Sequence, residues 1–281
     1  MKMIVFLKLA TCIFLLALNY SADAQNHKGW KLTWQDEFNY TGLPDSTKWN
    51  YEVGHIRNNE QQYYTRARKE NIWVSNGMLC ITGRKEAFSN EFYQAASSDW
   101  RHKDSIAQYT SASINTFGKT AWKYGRIEVR AKLPHGGGIW PAIWMMGEDR
   151  KQVGWPKCGE IDIMEFIGNH PTDIYSTIHF PDSLKTSRSS GSKINDSTVS
   201  NSFHTYALEW DENKIDIWFD HKRIHHFIID SAGSFAAPTF RKPFCLLLNL
   251  AMGANWPGPI DDAVLPQHYF IDYVRVYEPA N

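Results

Sequence analysis

Residues 159–168 read GEIDIMEFIG, with three carboxylates, Glu160, Asp162 and Glu165, set into a run of Ile, Met and Phe. The apolar residues alternate with acids at the period of two that belongs to a β-strand, where successive side chains point to opposite faces. In a regular strand Glu160 and Asp162 share one face and Glu165 falls on the other. One extra residue, Ile163 or Met164, inserted as a β-bulge turns Glu165 back beside its partners, and bulges recur next to active sites because they re-aim a side chain in this way. A solvated acidic face would alternate its acids with polar residues, whereas these alternate with Ile. A calcium cage would draw its ligands from a Gly-turned loop rather than from one strand.

Three carboxyls this close cannot all ionise at low cost, so at least one keeps its proton at neutral pH. One protonated carboxyl beside one anion is the pair that glycoside hydrolysis uses, with retention by double displacement where the carboxyls stand ~5–5.5 Å apart and with inversion where they stand ~6.5–9.5 Å apart, a distance that spacing along the chain does not fix. The expected division of roles has Glu160 attacking the anomeric carbon and Glu165 first protonating the leaving oxygen, then activating water. Asp162 hydrogen-bonds Glu160 and tunes the pair.

Outward from this stretch, β-branched and aromatic runs recur between Gly, Pro, Asn and Asp punctuation: MLCITGRK (78–85), YGRIEVRAKL (124–133), YSTIHF (175–180), HTYALEW (204–210), KIDIWFD (214–220), KRIHHFIID (222–230), FCLLLNLAM (244–252) and YFIDYVRVYE (269–278). Their spacing predicts an all-β, antiparallel domain, with a hairpin turn near residues 220–222. No helical periodicity is sustained. The polar segments 88–107 and 183–202 read as long surface loops. Roughly a dozen strands call for two stacked sheets, since one open sheet of that size leaves a face uncovered.

The first 24 residues have basic Lys2 and Lys8, an apolar stretch through Leu18 and an Ala22-x-Ala24 end, the pattern of a signal peptide cut before Gln25. The chain is 281 residues long, so 257 remain as one domain, 25–281, and a secreted or periplasmic location is expected. Removing Lys2, Lys8 and Asp23 from thirty residues of each sign leaves 28 basic and 29 acidic. That balance excludes steering of nucleic acid or an anionic membrane surface. No membrane contact is expected after cleavage, and a monomer is expected. Cys80, Cys158 and Cys245 remain, too few for a disulfide scaffold. Cys80 and Cys245 lie in apolar runs and read as buried thiols. Twelve Trp, thirteen Tyr and fifteen Phe are more aromatic surface than a core of this size needs, and Trp and Tyr suit stacking on sugar rings.

GEIDIMEFIG resembles the catalytic strand of family 16 glycoside hydrolases, the laminarinase-like β-glucanases, in the form that carries the extra residue. LTWQDEFNYTGLPDSTKWNYEVG, NNEQQYYT, YGRIEVRAKLPHGGGIWPAIWMM, FHTYALEW, LLLNLAMGANWPG and IDYVRVYE follow the family's block order. The resemblance implies a β-jelly-roll sandwich of two curved antiparallel sheets with a concave substrate cleft. It implies a secreted, retaining endo-β-1,3-glucanase with β-glucan as partner and no organic cofactor. Trp140 and Trp144 would flank the cleft, with core packing the competing reading for Trp144. The Gly136 to Gly138 run would let the backbone approach the polymer. His179 matches a histidine near the acid/base, able to bond Glu165 or a sugar hydroxyl. Arg57, Asn59, Glu60 and Gln61 resemble residues that bond sugar hydroxyls, and Trp256 a distal stacking platform. Glu37, Gly77 and Asp272 match a structural calcium site on the convex side, the alternative being that the two acids pair with Arg or Lys.

Other substrates stay open at this point, namely mixed-linkage β-glucan or a galactan, because the bulged strand occurs in galactan-cleaving relatives as well. Ala254 in GANWPG stands where a Gly is common. A non-catalytic carbohydrate-binding lectin is the reading from a different class, since sandwich folds host both. Retention of all three acids favours an enzyme.

Overall fold

The computed structural model describes residues 29–280, so the expected signal peptide lies outside the described residues. In chain order the strands are β1 (Trp30–Asp36), β2 (Asn50–Tyr51), β3 (Gln62–Tyr64), β4 (Ile72–Ser75), β5 (Met78–Ser89), β6 (Ile106–Ser111), β7 (Ser113–Asn115), β8 (Gly125–Lys132) and β9 (Ile139–Gly147). They continue with β10 (Glu160–Phe166), β11 (Asp173–Pro181), β12 (Ser187–Asn195), β13 (His204–Trp210), β14 (Lys214–Phe219), β15 (Lys222–Ile228), β16 (Phe244–Met252) and β17 (Gln267–Pro279). One helical turn, α1 (Arg150–Val153), and three short 3-10 segments complete the elements.

The strands form two sheets. One has seven strands in the order β12-β11-β10-β9-β16-β7-β2. The other runs β15-β14-β13-β8-β17-β5-β6-β3, with β1 on β17 and β4 on β5. Pairing is antiparallel except between β3 and β6. The all-β expectation is met, and the short strands β2, β3, β4 and β7 lift the total above the dozen expected.

Alternation explains how the sheets stack. Ile127 and Val129 of β8, Tyr206 and Leu208 of β13 and Val274 and Val276 of β17 meet Ile143 and Met145 of β9, Ile161 and Ile163 of β10 and Leu246, Leu248 and Leu250 of β16 in one buried cluster. Each such aliphatic side chain contributes about 1.5–3 kcal/mol on burial. β16 is buried at all nine positions, and its unbroken apolar run reads as a strand covered on both faces.

Residues 183–202 are not all loop, because β12 lies within them, paired to β11 from Asp173↔Asn195 to Pro181↔Ser187. It is the last strand of its sheet, bonded on one side only and mostly exposed. A strand that buries little keeps no apolar period for the sequence to display. Two of its serines face the other sheet: Ser190 Oγ lies 3.1 Å from His225 Nε2, and Ser192 Oγ donates to the Ile224 carbonyl. Segment 88–107 is loop between Asn90 and Ser105, with its ends taken into β5 and β6. The hairpin turn falls at Asp220 and His221, where Asp220 adopts a φ of 51°. β9 escaped the pattern of runs because Gly136–Gly138 and Pro141 mask it. The β9–β10 register stops at Ala142, so the missing Pro141 N–H removes no bond on that side.

The end of β1 is fixed by Asp36, which is buried and accepts hydrogen bonds from Trp49 Nε1 (2.9 Å), the Phe38 backbone N–H (3.2 Å) and the Tyr40 hydroxyl (3.3 Å). Replacing Asp36 by Ala strands these donors away from water. The expected cost is about 2–4 kcal/mol, read as a lowered urea midpoint with an unchanged slope; a loss within error of zero would refute Asp36 as the anchor.

Candidate active site

β10 carries the bulge. Against β11, Asp162 pairs with Thr177 and Glu165 with Tyr175, so two residues of β10 oppose one of its neighbour. Against β9, Asp162 pairs with Trp144 and Met164 with Ile143, which makes Ile163 the extra residue on that side. Ile163 and Met164 both sink into the core between the sheets, and Glu165 emerges on the outer face with Glu160 and Asp162. All three acids line a cleft of about 340 Å³ together with Arg57, Trp140, Trp144 and Trp155.

Burial governs the charges. It pushes Glu165 well above the ordinary carboxylate value, and the neighbouring Asp162 and Glu160 push the same way. The opposing influences are His179 and then Trp140, whose Nε1–H donates to Glu165 Oε1 at 3.1 Å. Burial also raises Asp162 far above its usual range, reinforced by the charge of Glu160 and a hydrogen bond to it. Glu160 is raised by burial too, but His179, Arg57 and Trp155 all pull it back towards the anion. Asp162 therefore holds the proton of that pair and Glu160 the negative charge. Environments that push neighbouring carboxyls apart in this way separate acid from anion.

His179 sits at the other end of the cluster from the one expected. It pairs with Glu160 across β10 and β11, and its Nε2 lies 3.4 Å from Asp162 Oδ2 and 4.0 Å from Glu160 Oε1. Glu160, Asp162 and His179 are also the residues among those described whose ligand atoms cluster closely enough to hold a cation. That cluster is the acid site itself.

Trp144 faces the cleft although only 6% of it is exposed, because the Arg57 guanidinium lies 4.9 Å from its ring centroid. Its indole N–H donates to Asn249 Oδ1 at 2.7 Å, Asn249 donates to the Tyr64 hydroxyl at 3.0 Å, and Tyr64 donates to Glu60 Oε2 at 3.3 Å. Arg57 is held from behind by Glu52, which also accepts from Ser113 Oγ at 2.7 Å. Arg57 Nη1 and Asp162 Oδ2 have no hydrogen-bond partner in the protein. Orphaned polar atoms in a cleft are ones a ligand's hydroxyls can satisfy. Trp256 is exposed and meets Trp140 and Tyr175 edge to face, each at 5.1 Å.

Several expected residues stand elsewhere. Asn59 and Gln61 line a neighbouring depression with His55 and Trp100; Asn58 takes the cleft position, and buried Glu60 divides the two. Gly138 is glycine for packing, since at a φ of 76° an added Cβ would stand 2.5 Å from Ile260 Cα. As arranged, Glu37 and Asp272 do not fit a calcium ion. Glu37 takes two bonds from Arg275, at 2.7 and 2.9 Å, and Asp272 is bonded by Arg130. Gly77 sits in a tight turn at a φ of 72°. Cys80 is half-buried rather than buried, and all three thiols are free. Asn249, Tyr64 and Trp155 were missed by the sequence reading. Asn249 left a signal, a single amide within LLLNLAM.

The chain matches the model of glycosyl hydrolases family 16 over residues 45–275. It is 40% identical to a β-glucanase of Rhodothermus marinus, over 88% of this chain and 85% of that protein. It is 38% identical to glucan endo-1,3-beta-glucosidase A1 of Niallia circulans, over 89% of this chain but only 38% of that longer protein. A solved structure from work on endo-acting O-glycanases of human gut bacteria that initiate mucin breakdown superposes with a TM-score of 0.83 at 38% identity, covering 89% of this chain and 91% of that one.

Two outcomes are expected from the electrostatics. Glu165→Gln should stabilise the fold at neutral pH. A carboxyl whose folded value is raised lends stability below its unfolded value, about 4.3, and withdraws it as pH climbs through the folded value. The gain in urea unfolding at neutral pH should thus shrink near pH ~4; a gain independent of pH would contradict the raised value. Trp140→Phe removes the N–H that favours the Glu165 anion. The alkaline limb of the pH–rate profile should then move to higher pH, and a shift to lower pH would be wrong in sign.

Proposed function

The chain belongs to glycosyl hydrolases family 16, and on that footing we propose that it is an endo-acting β-1,3-glucan hydrolase of laminarin type that works by double displacement with retention. As a glycoside hydrolase it needs no organic cofactor for its chemistry. The observation that carries the reading is the bulge at Ile163, which leaves an anion-favouring Glu160 and a proton-holding Glu165 on one wall of one cleft.

In the first step the Glu160 carboxylate attacks the anomeric carbon, the glycosidic C–O bond breaks, and the Glu165 proton passes to the leaving oxygen. Asp162, protonated, donates to Glu160 and steadies the charge until the covalent bond takes it up. Glu165 is now an anion, the form the Trp140 N–H stabilises. In the second step it takes a proton from water as the water displaces Glu160, and both carboxyls return to their starting states. Arg57, Trp140, Trp144 and Trp256 hold the polymer, with indole faces and edges against sugar rings. We propose further that residues 1–24 are a leader removed on export and that residues 25–281 act as a single catalytic unit.

A second reading is favoured by the TM-score of 0.83 to the structure from the O-glycanase work, together with Ala254, held at a φ of 94° where a Gly would be unstrained. On it, the same chemistry cuts within β-linked O-glycan chains of mucin type.

Reducing-end release from laminarin, mixed-linkage β-glucan and mucin O-glycans separates these substrates, and laminarin is expected to be cut fastest. If laminarin is untouched while mucin chains are shortened, the second reading replaces the first. Glu160→Gln and Glu165→Gln should each lower turnover by several orders of magnitude in a folded protein. Proton NMR of the first-formed product should show the β-anomer, and an initial α-anomer would rule out double displacement.

A further inference from the structure

The outer face of the seven-stranded sheet continues beyond the acids. One row of paired residues runs from Asp162 through Trp144 and Leu247 to Asn115 on β7 and Asn50 on β2. Residues paired directly across a sheet share a face, so this row carries the floor three inter-strand steps of ~4.8 Å from Asp162 to Asn115, about 14 Å. There it opens into a second basin of about 570 Å³, with Tyr51 and Phe117 among its lining.

The charge of this basin is one-sided. Arg66, Lys119, Arg150 and Lys151 line it, and the single acid among the lining residues, Glu52, is already paired with Arg57. Arg150 lies over the Phe117 ring, 3.4 Å from its centroid, and 3.9 Å from Glu52. Arg66, Lys119 and Lys151 have no ion-pair partner among the described residues. Asp149, two positions before Lys151, is bonded to Lys242 instead, at 2.7 Å. The Tyr51 hydroxyl also lacks a partner. In a chain with thirty basic and thirty acidic residues, four cations around one neutralised acid are a local feature.

A neutral glycan asks for aromatic faces and amides, whereas guanidinium and ammonium groups make their strongest hydrogen bonds to sulfate-like and carboxylate oxygens. We infer that this basin is a distal subsite of the cleft that receives an anionic substituent, a sulfate ester or a carboxylate, on a sugar a short way along the chain from the scissile bond. The inference rests on the reading of the acid cluster as a β-glycan hydrolase site.

The test titrates the full chain carrying Glu160→Gln with neutral laminari-oligosaccharides, neutral mucin O-glycan fragments, and the sulfated and carboxymethylated forms of each. Anionic forms should bind roughly tenfold tighter than neutral ones at low salt, about 1.4 kcal/mol, and the gain should shrink as salt is added. Adding Lys119→Ala and Lys151→Ala together should abolish the gain and leave neutral binding unchanged. Whichever anion carries the gain identifies the group. Equal affinity for neutral and anionic forms, or a gain that survives the double substitution, overturns the subsite. Cleavage by the wild-type chain keeps the two readings apart. Hydrolysis of a neutral backbone without any anion gain removes the basin alone. A lysine-dependent gain in a protein that cuts neither backbone removes the hydrolase reading alone.

Discussion

The extra residue at Ile163 decides on which side of the sheet Glu165 emerges, and the rest of the site is arranged around that decision. A strand with an unbroken period of two would send Glu165 into the apolar layer between the sheets, where a carboxyl has no partner. The bulge absorbs one apolar side chain into the core and restores the phase, so that Ile161, Ile163, Met164 and Phe166 stay buried while the acids stay in the cleft. The hydrophobic demand of the core and the polar demand of the cleft are met by one local change in register.

Placing three carboxyls in so dry a wall is unfavourable to stability, and the cleft limits the penalty in distinct ways. Asp162 and Glu165 are kept near neutrality by burial and by the neighbouring Glu160. Glu160, which the proposed chemistry needs as an anion, is the one whose neighbours favour the charge, His179 beside it and the Arg57 guanidinium across the cleft. Arg57 is in turn neutralised by Glu52, so the support extends through Glu52 and Ser113 to the strands behind. Sites that hold such strain give up stability that a neutral substitution returns.

Legibility in the sequence followed burial. HTYALEW and FCLLLNLAM match β13 and β16 residue for residue, because both strands are packed on at least one face and their composition records it. β12 reads as loop because its side chains mostly face water, and β9 is absent from the apolar runs because Gly136–Gly138 precede it and Pro141 stands near its start. The three acids were legible because charge inside an apolar run demands a reason. Asn249 and Tyr64 were not, since a single polar residue becomes meaningful only when folding brings its partner from 185 positions away. The side of the cluster that His179 joins is set by the register of β10 on β11, which places it opposite Glu160, and no spacing along the chain encodes that register.

β12 has a further effect. An outermost strand with free N–H and C=O groups is a template on which another chain can add itself. Here that strand carries Arg188, Lys193 and a row of serines, and Ser190 and Ser192 lash it to β15, the last strand of the opposite sheet. Fixed charges along the strand and its tie to β15 make this flank of the sandwich a poor template for a second chain.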